Sequence, residues 1–94
     1  MQNKQPLFSL GNVYSTPGAL AALEEAHADV HTLLVRHVTG DWAEMDKEDQ
    51  RANHQAMEEG SRVFSAYRLS TGVKVWVISE ADRSSTSLLL PEEY

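Results

Sequence analysis

Gly60 divides this chain by period. Before it, apolar residues recur at three and four positions, the spacing of a helix face; after it they alternate, the spacing of a half-buried strand. A chain that changes period once, at a residue able to end a helix in the left-handed conformation, is predicted to be α+β. The expectation is about three N-terminal helices packed on a three- to four-stranded antiparallel sheet formed mainly by residues 61–90.

The helical half carries its own punctuation. Thr16-Pro17 reads as N-cap and first helical residue, and Ala19, Leu20, Ala22, Leu23 and Ala26 are expected to supply a buried stripe. Asp29 is the expected cap of a second helix reaching about Val38, with Val30, Leu33, Leu34 and His37 on one face. Gly40 ends it, and Trp42 is expected to anchor the following loop in the core. A third helix is predicted from Asp46 to Gly60, with Asp49 in a weaker capping box and Ala52 and Ala56 as its main buried positions.

The second half reads as strands over 62–69, 73–80 and 85–90, with turns at Ser70-Thr71-Gly72 and Ala81-Asp82-Arg83-Ser84. A possible fourth strand spans Leu7 to Ser15, bulged at Gly11. Tyr94 is expected to fold back and pack. Residues 1–6 are expected to be disordered, and the 94 residues to form one domain.

Composition removes several function classes. The chain holds no cysteine, so disulfide frameworks, iron–sulfur clusters, thiolate zinc sites and a cysteine nucleophile are excluded within it. No apolar run approaches the roughly 20 residues of a membrane span. A cytoplasmic location without membrane contact is the expectation. His27 and His31 stand four apart, but the break at Asp29 falls between them and no third ligand is evident; neither a metal nor another cofactor is expected.

The net charge of −6 is concentrated. Residues 41–60 hold Asp41, Glu44, Asp46, Glu48, Asp49, Glu58 and Glu59 against Lys47 and Arg51, a balance of −5. Residues 61–94 hold four basic and four acidic side chains and balance to zero. An acidic chain does not collect phosphates by bulk charge, so direct nucleic-acid binding is not expected. The seven carboxylates are the candidate partner-binding residues, for a host or element protein that is basic or itself binds nucleic acid. A solvated helix face is the plain alternative for such a run.

One second cluster could carry chemistry. Glu80 and Arg83 at the second turn, with Arg62 and His54 brought near, would supply base, phosphate clamp and acid for cleaving a phosphodiester. The same residues serve equally well as a self-satisfied turn and surface ion pairs.

Several stretches taken together resemble a known family. They are Gly40-Asp41-Trp42; Asp49 and Asn53; Gly60-Ser61-Arg62-Val63-Phe64-Ser65-Ala66-Tyr67; the run from Trp76 to Thr86; and the ending Leu88 to Tyr94. In these the chain looks like a small family of bacterial plasmids, phages and integrated elements, labelled plasmid-related proteins or type I restriction endonuclease subunit M. The resemblance covers nearly the whole chain from about Leu7 and implies a complete member, acting in the cytoplasm of a host cell. It implies no activity. A weaker similarity, in the order of helices before sheet, is to barnase/RelE-like ribonucleases, in which Glu80, Arg83 and His54 would be the matching residues. The expected function is a non-enzymatic interaction or inhibitor module with an acidic helical surface. The alternative is a small ribonuclease.

Overall fold

The computed structural model describes residues 5–94. A short strand β1 (Asn12–Ser15) leads into helices α1 (Pro17–Glu25), α2 (Val30–Val38) and α3 (Lys47–Glu59). Strands β2 (Val63–Arg68), β3 (Lys74–Ser79) and β4 (Ser85–Leu89) follow, then a 3-10 turn at Pro91–Glu93. The sheet order is β1-β4-β3-β2.

The helix boundaries follow from local chemistry. Thr16 Oγ1 accepts the Ala19 N–H at 3.1 Å, and Pro17 occupies the first position, where its missing N–H costs nothing. Asp29 caps α2 through the His31 N–H, and Asp46 caps α3 through the Asp49 N–H at 2.8 Å. Gly60 closes α3 with φ +73°, the left-handed conformation that favours glycine. The break between α1 and α2 separates His27 from His31: His27 lies outside both helices, and His31 is exposed on α2. Among the described residues no cluster of metal-ligating side chains forms.

The sheet is mixed, which corrects the expectation of a purely antiparallel one. Strands β2, β3 and β4 form an antiparallel meander, whereas β1 pairs with β4 in parallel, Val13 opposite Thr86 and Ser15 opposite Leu88. Three helices join β1 to β2, a crossover of the kind that parallel strands require, and β2 and β4 share a direction, so β1 runs parallel to both. The first strand is also shorter than its apolar pattern, because Gly11 precedes it with φ +64° and its α-hydrogen side faces the Ser84 carbonyl. A Cβ there would lie 2.4 Å from that oxygen, so no other residue fits.

One face of the sheet carries the main core. Tyr67, Val75, Val77 and Leu88 meet Ala19, Ala22 and Leu23 of α1 and Leu33 and Leu34 of α2. A second cluster joins Trp42, Met45 and Ala56 to Val63 at the β2 edge, and Trp42 is only 1 % exposed, anchoring its loop as expected. Three readings need correction. Leu20, placed in the buried stripe of α1, is 48 % exposed. Ala52 is exposed, and the buried positions of α3 are Asn53 and Ala56. His37, on the same face of α2 as Leu33 and Leu34, is fully buried. Tyr94 does fold back, its ring 5.7 Å from that of Trp76, yet it stays 70 % exposed. The disorder expected for residues 1–6 falls mostly outside the described residues. Gln5 and Pro6 are exposed and lie in no helix or strand. Among the described residues no helix is long and apolar enough to cross a membrane.

Candidate functional site

The acidic segment meets the sheet at the open edge of β2. Leu69 donates to Val73 across the β2–β3 turn, so by alternation Val63, Ser65 and Tyr67 also exchange backbone bonds with β3. Phe64, Ala66 and Arg68 therefore turn their N–H and C=O groups outward. Two of these three positions are plugged by side chains. Asn53 of α3 donates through Nδ2 to the Phe64 carbonyl at 2.6 Å and accepts the Phe64 N–H at 3.0 Å, so one carboxamide imitates a neighbouring strand. Glu44 accepts the Arg68 N–H at 2.9 Å. Between the plugs the N–H and C=O of Ala66 have no partner among the described residues.

At this gap lies a cleft of about 290 Å³ lined by Glu44, Met45, Asp46, Asp49, Phe64, Ala66, Arg68 and Lys74. Carboxylates line the side of α3 and cations the side of the sheet. The carboxylates are unequally available. Glu44 is held by Arg36 at 2.8 Å as well as by the Arg68 amide. Asp41 is paired with the same Arg36 at 2.8 Å, and the guanidinium lies 4.4 Å over the Tyr67 ring. The hydrogen bond to Asp41 leads the effects that raise the Arg36 pKa. The Tyr67 hydroxyl donates to the Asp41 carbonyl, and burial pushes its pKa up to about 12. Asp41 and Glu44 thus hold the loop to α2 and β2. Asp46 uses one oxygen as the α3 cap. Glu59 accepts a hydrogen bond from Gln55. The carboxylates of Glu48, Asp49 and Glu58 carry no ion pair or hydrogen bond within the described residues, and of these Asp49 faces the cleft. Arg68 and Lys74, directly opposite each other across the two strands, likewise have no carboxylate partner among the described residues.

The four residues of the phosphodiester reading do not converge on one site. Arg62 and Glu80 form an exposed ion pair at 3.1 Å, and Arg62 also donates to the Tyr94 hydroxyl. Glu80 and then Tyr94 raise the Arg62 pKa. Arg83, itself in the left-handed conformation, points its guanidinium at backbone carbonyls: Ser61 at 2.6 Å, Glu80 at 2.9 Å, Ala81 at 3.2 Å and Ala56 at 3.4 Å. It ties the second turn to the C-terminal end of α3, where a cation suits the helix dipole. Asp82 accepts the Ser84 N–H at 3.0 Å in an Asx-turn, and that serine holds its carboxyl below the usual carboxylate range. His54 lies on α3 with its ring 5.1 Å from that of Trp42. Arg62 and Glu80 are brought together; Arg83 joins them only through the main chain.

A polar chain in the core has no counterpart in the sequence reading. His37 Nδ1 lies 2.5 Å from Ser65 Oγ and Nε2 lies 3.0 Å from Ser79 Oγ; Ser79 Oγ lies 2.6 Å from Thr86 Oγ1, which donates to the Leu10 carbonyl at 2.7 Å. That last bond fixes the others. Thr86 has used its proton, so Ser79 donates to Thr86 and must accept from His37 Nε2–H; Nδ1 then accepts from Ser65. The imidazole is neutral, with its pKa lowered to about 4 by burial first and by the charge of Arg83 second. All four side chains are sealed from solvent, which makes this a structural network. Its signal in the sequence is three hydroxyls, Ser65, Ser79 and Thr86, at core-facing strand positions.

No protein-family profile, curated protein or solved structure matches this chain.

Proposed function

We propose that this chain is a non-enzymatic interaction protein of a mobile genetic element, and that it binds an extended segment of another protein in the cleft beside β2. The observation that carries this reading is the juxtaposition of the acidic start of α3 with an unplugged stretch of sheet edge. Ala66 offers one N–H and one C=O to a peptide group, as an added strand would use them. Asp49 and the free oxygen of Asp46 favour a cationic side chain on the helix side of the bound segment. Arg68 and Lys74 favour a carboxylate on its other side. A basic partner, such as a nucleic-acid-binding defence enzyme held inactive by the complex, fits the charge of the segment as a whole.

The test is affinity capture from host cytoplasm with three forms of the protein. Wild type and Glu58→Gln, which lies outside the cleft, are expected to retain the same protein. Asp49→Lys is expected to lose it with the fold retained by circular dichroism and only a small fall in melting temperature, from a cation in the first turn of α3. Identical captured sets from all three would remove the cleft from the interaction. The ribonuclease alternative asks Arg83 to leave four carbonyls before it can clamp a phosphate. Total cellular RNA is expected to stay intact on incubation with the protein; cleavage lost in Glu80→Gln would put that alternative first.

A further inference from the structure

Among the described residues the opposite edge of the sheet is uncovered. Asn12 donates to Ser84 and Thr16 donates to Leu88, so Asn12, Tyr14 and Thr16 direct their backbone groups at β4. Val13 and Ser15 direct theirs outward, and no described residue meets them. Whereas Asn53 and Glu44 plug two positions of the β2 edge, no side chain among the described residues plugs this one. The strand, Asn-Val-Tyr-Ser, holds no charge and no proline, the two usual deterrents on an open edge. Val13 is 44 % exposed and Tyr14 57 %, large apolar groups flanking an unpaired ladder.

We propose that β1 pairs antiparallel with β1 of a second copy, making an eight-stranded sheet with Tyr14 on the two-fold axis. Alternation fixes the register. Outward-directed residues must face each other, so Val13 lies opposite Ser15 of the second copy and the reverse. Each pair exchanges two backbone bonds, four in all. Tyr14 then faces its own equivalent in the closely spaced, non-hydrogen-bonded position, with Cα atoms about 4.5 Å apart. Moving further along, Gly11 would face Pro17, which has no N–H, so pairing stops there.

Two features select a second copy over a foreign strand. First, the edge has no charged side chain with which to attract one partner over another, but its pattern is complementary to itself. Second, the charge distribution permits self-association in spite of the net −6. The acidic residues 41–60 belong to α3 and the loop before it, which pack at β2, the far end of the sheet order. In the dimer the two β2 strands stand seven strand spacings apart, about 34 Å. This is several times the Debye length of about 8 Å at physiological salt. Between the Asn53 and Glu44 plugs the β2 edge leaves only the Ala66 gap, too short for the four backbone bonds of a paired β1, so the assembly closes at two. Both clefts stay open, one at each end. The inference does not rest on the function proposed for them.

Sedimentation of the full chain across about 1 to 500 µM is expected to show a monomer–dimer equilibrium. Val13→Pro removes a donor that points away from β4, a place where an edge strand tolerates proline. It is expected to weaken dimerisation at least 100-fold with the circular dichroism spectrum retained. Tyr14→Lys sets two like charges opposite each other and should act similarly, which keeps the test decisive if the proline variant fails to fold. In a chain without cysteine, Tyr14→Cys is expected to oxidise to a disulfide-linked dimer, since non-hydrogen-bonded antiparallel pairs lie within bridging distance. Asn12→Cys, four residues out of register with its equivalent, is expected to stay reduced. A wild type that remains monomeric throughout overturns the proposal, and so does a dimer indifferent to both Val13→Pro and Tyr14→Lys. Equal cross-linking at positions 12 and 14 overturns the register.

Discussion

A single carboxamide, that of Asn53, satisfies the exposed ladder of β2 from outside the sheet. Both of its bonds to Phe64 are made to groups that a strand edge would otherwise offer to water or to another chain. Asn53→Ala is expected to destabilise the fold by about 2 kcal/mol, two hydrogen bonds at roughly 1 kcal/mol each, read as a lower urea midpoint at unchanged slope. Asn53→Asp keeps the shape but sets a carboxylate oxygen against the Phe64 carbonyl, and should cost more. A midpoint unchanged in Asn53→Ala would mean that water replaces the side chain at no cost. Periodicity did not reveal this residue. An apolar stripe assigns burial to Ala52 and Ala56, because a polar residue declares itself buried only through its partner, here 11 residues away. His37 stood on the apolar face of its helix, but its partners, 28 and 42 residues away, were hidden in the same way.

At the scale of elements, whatever is settled within four residues was legible: the caps at Thr16, Asp29 and Asp46, the left-handed Gly60 and the turn from Ala81 to Ser84. What depends on which strands become neighbours was not, and β1 is the example. Nothing local in Asn12–Ser15 says that it will lie parallel to β4. The candidate cleft was half legible: its carboxylates stood out in the charge distribution, whereas the Ala66 gap arises only once Asn53 and Glu44 plug the positions beside it. The C-terminal turn shows how such non-local contacts tie elements together. Glu93 accepts hydrogen bonds from Thr16 Oγ1 and the Leu90 N–H, so its carboxylate sits at the start of α1. The Thr16 hydroxyl holds its pKa below the usual carboxylate range, and an anion at a helix N-terminus is stabilised by the dipole. Removing residues 91–94 is expected to lower the melting temperature. Glu93→Gln should reproduce most of the fall in melting temperature. Tyr94→Ala, which removes a largely exposed ring, should change stability by no more than about 0.5 kcal/mol. If Tyr94→Ala accounts for the loss instead, the ring contact with Trp76 and not the carboxylate holds the tail.

For the molecule as a whole, the buried histidine makes stability depend on pH well above the carboxylate range. His37 has an ordinary pKa of 6.5 in the unfolded chain and about 4 in the folded one. Between these values the unfolded chain binds a proton that the folded chain refuses, so stability rises with pH across the window and is lost as pH falls from about 6.5 to about 4. The difference corresponds to roughly 3 kcal/mol over the full window, of which about 1 kcal/mol is gone by pH 5.5. Asp82 and Glu93, whose carboxyls are held low, act in the same direction, but only as pH falls through the carboxylate range. The upper part of the loss therefore belongs to the imidazole. Urea unfolding at pH 7.5 and 5.5 is expected to show the difference in wild type and to lose most of it in His37→Gln, which keeps a donor and an acceptor for Ser79 and Ser65. The ring resonances of His37 are expected to stay constant between pH 8 and pH 5. A ring that titrates near 6.5 would mean that the charged imidazole is accommodated among Ser65, Ser79 and Phe8, with Arg83 giving way, and the network would then be a proton-binding site in the folded protein.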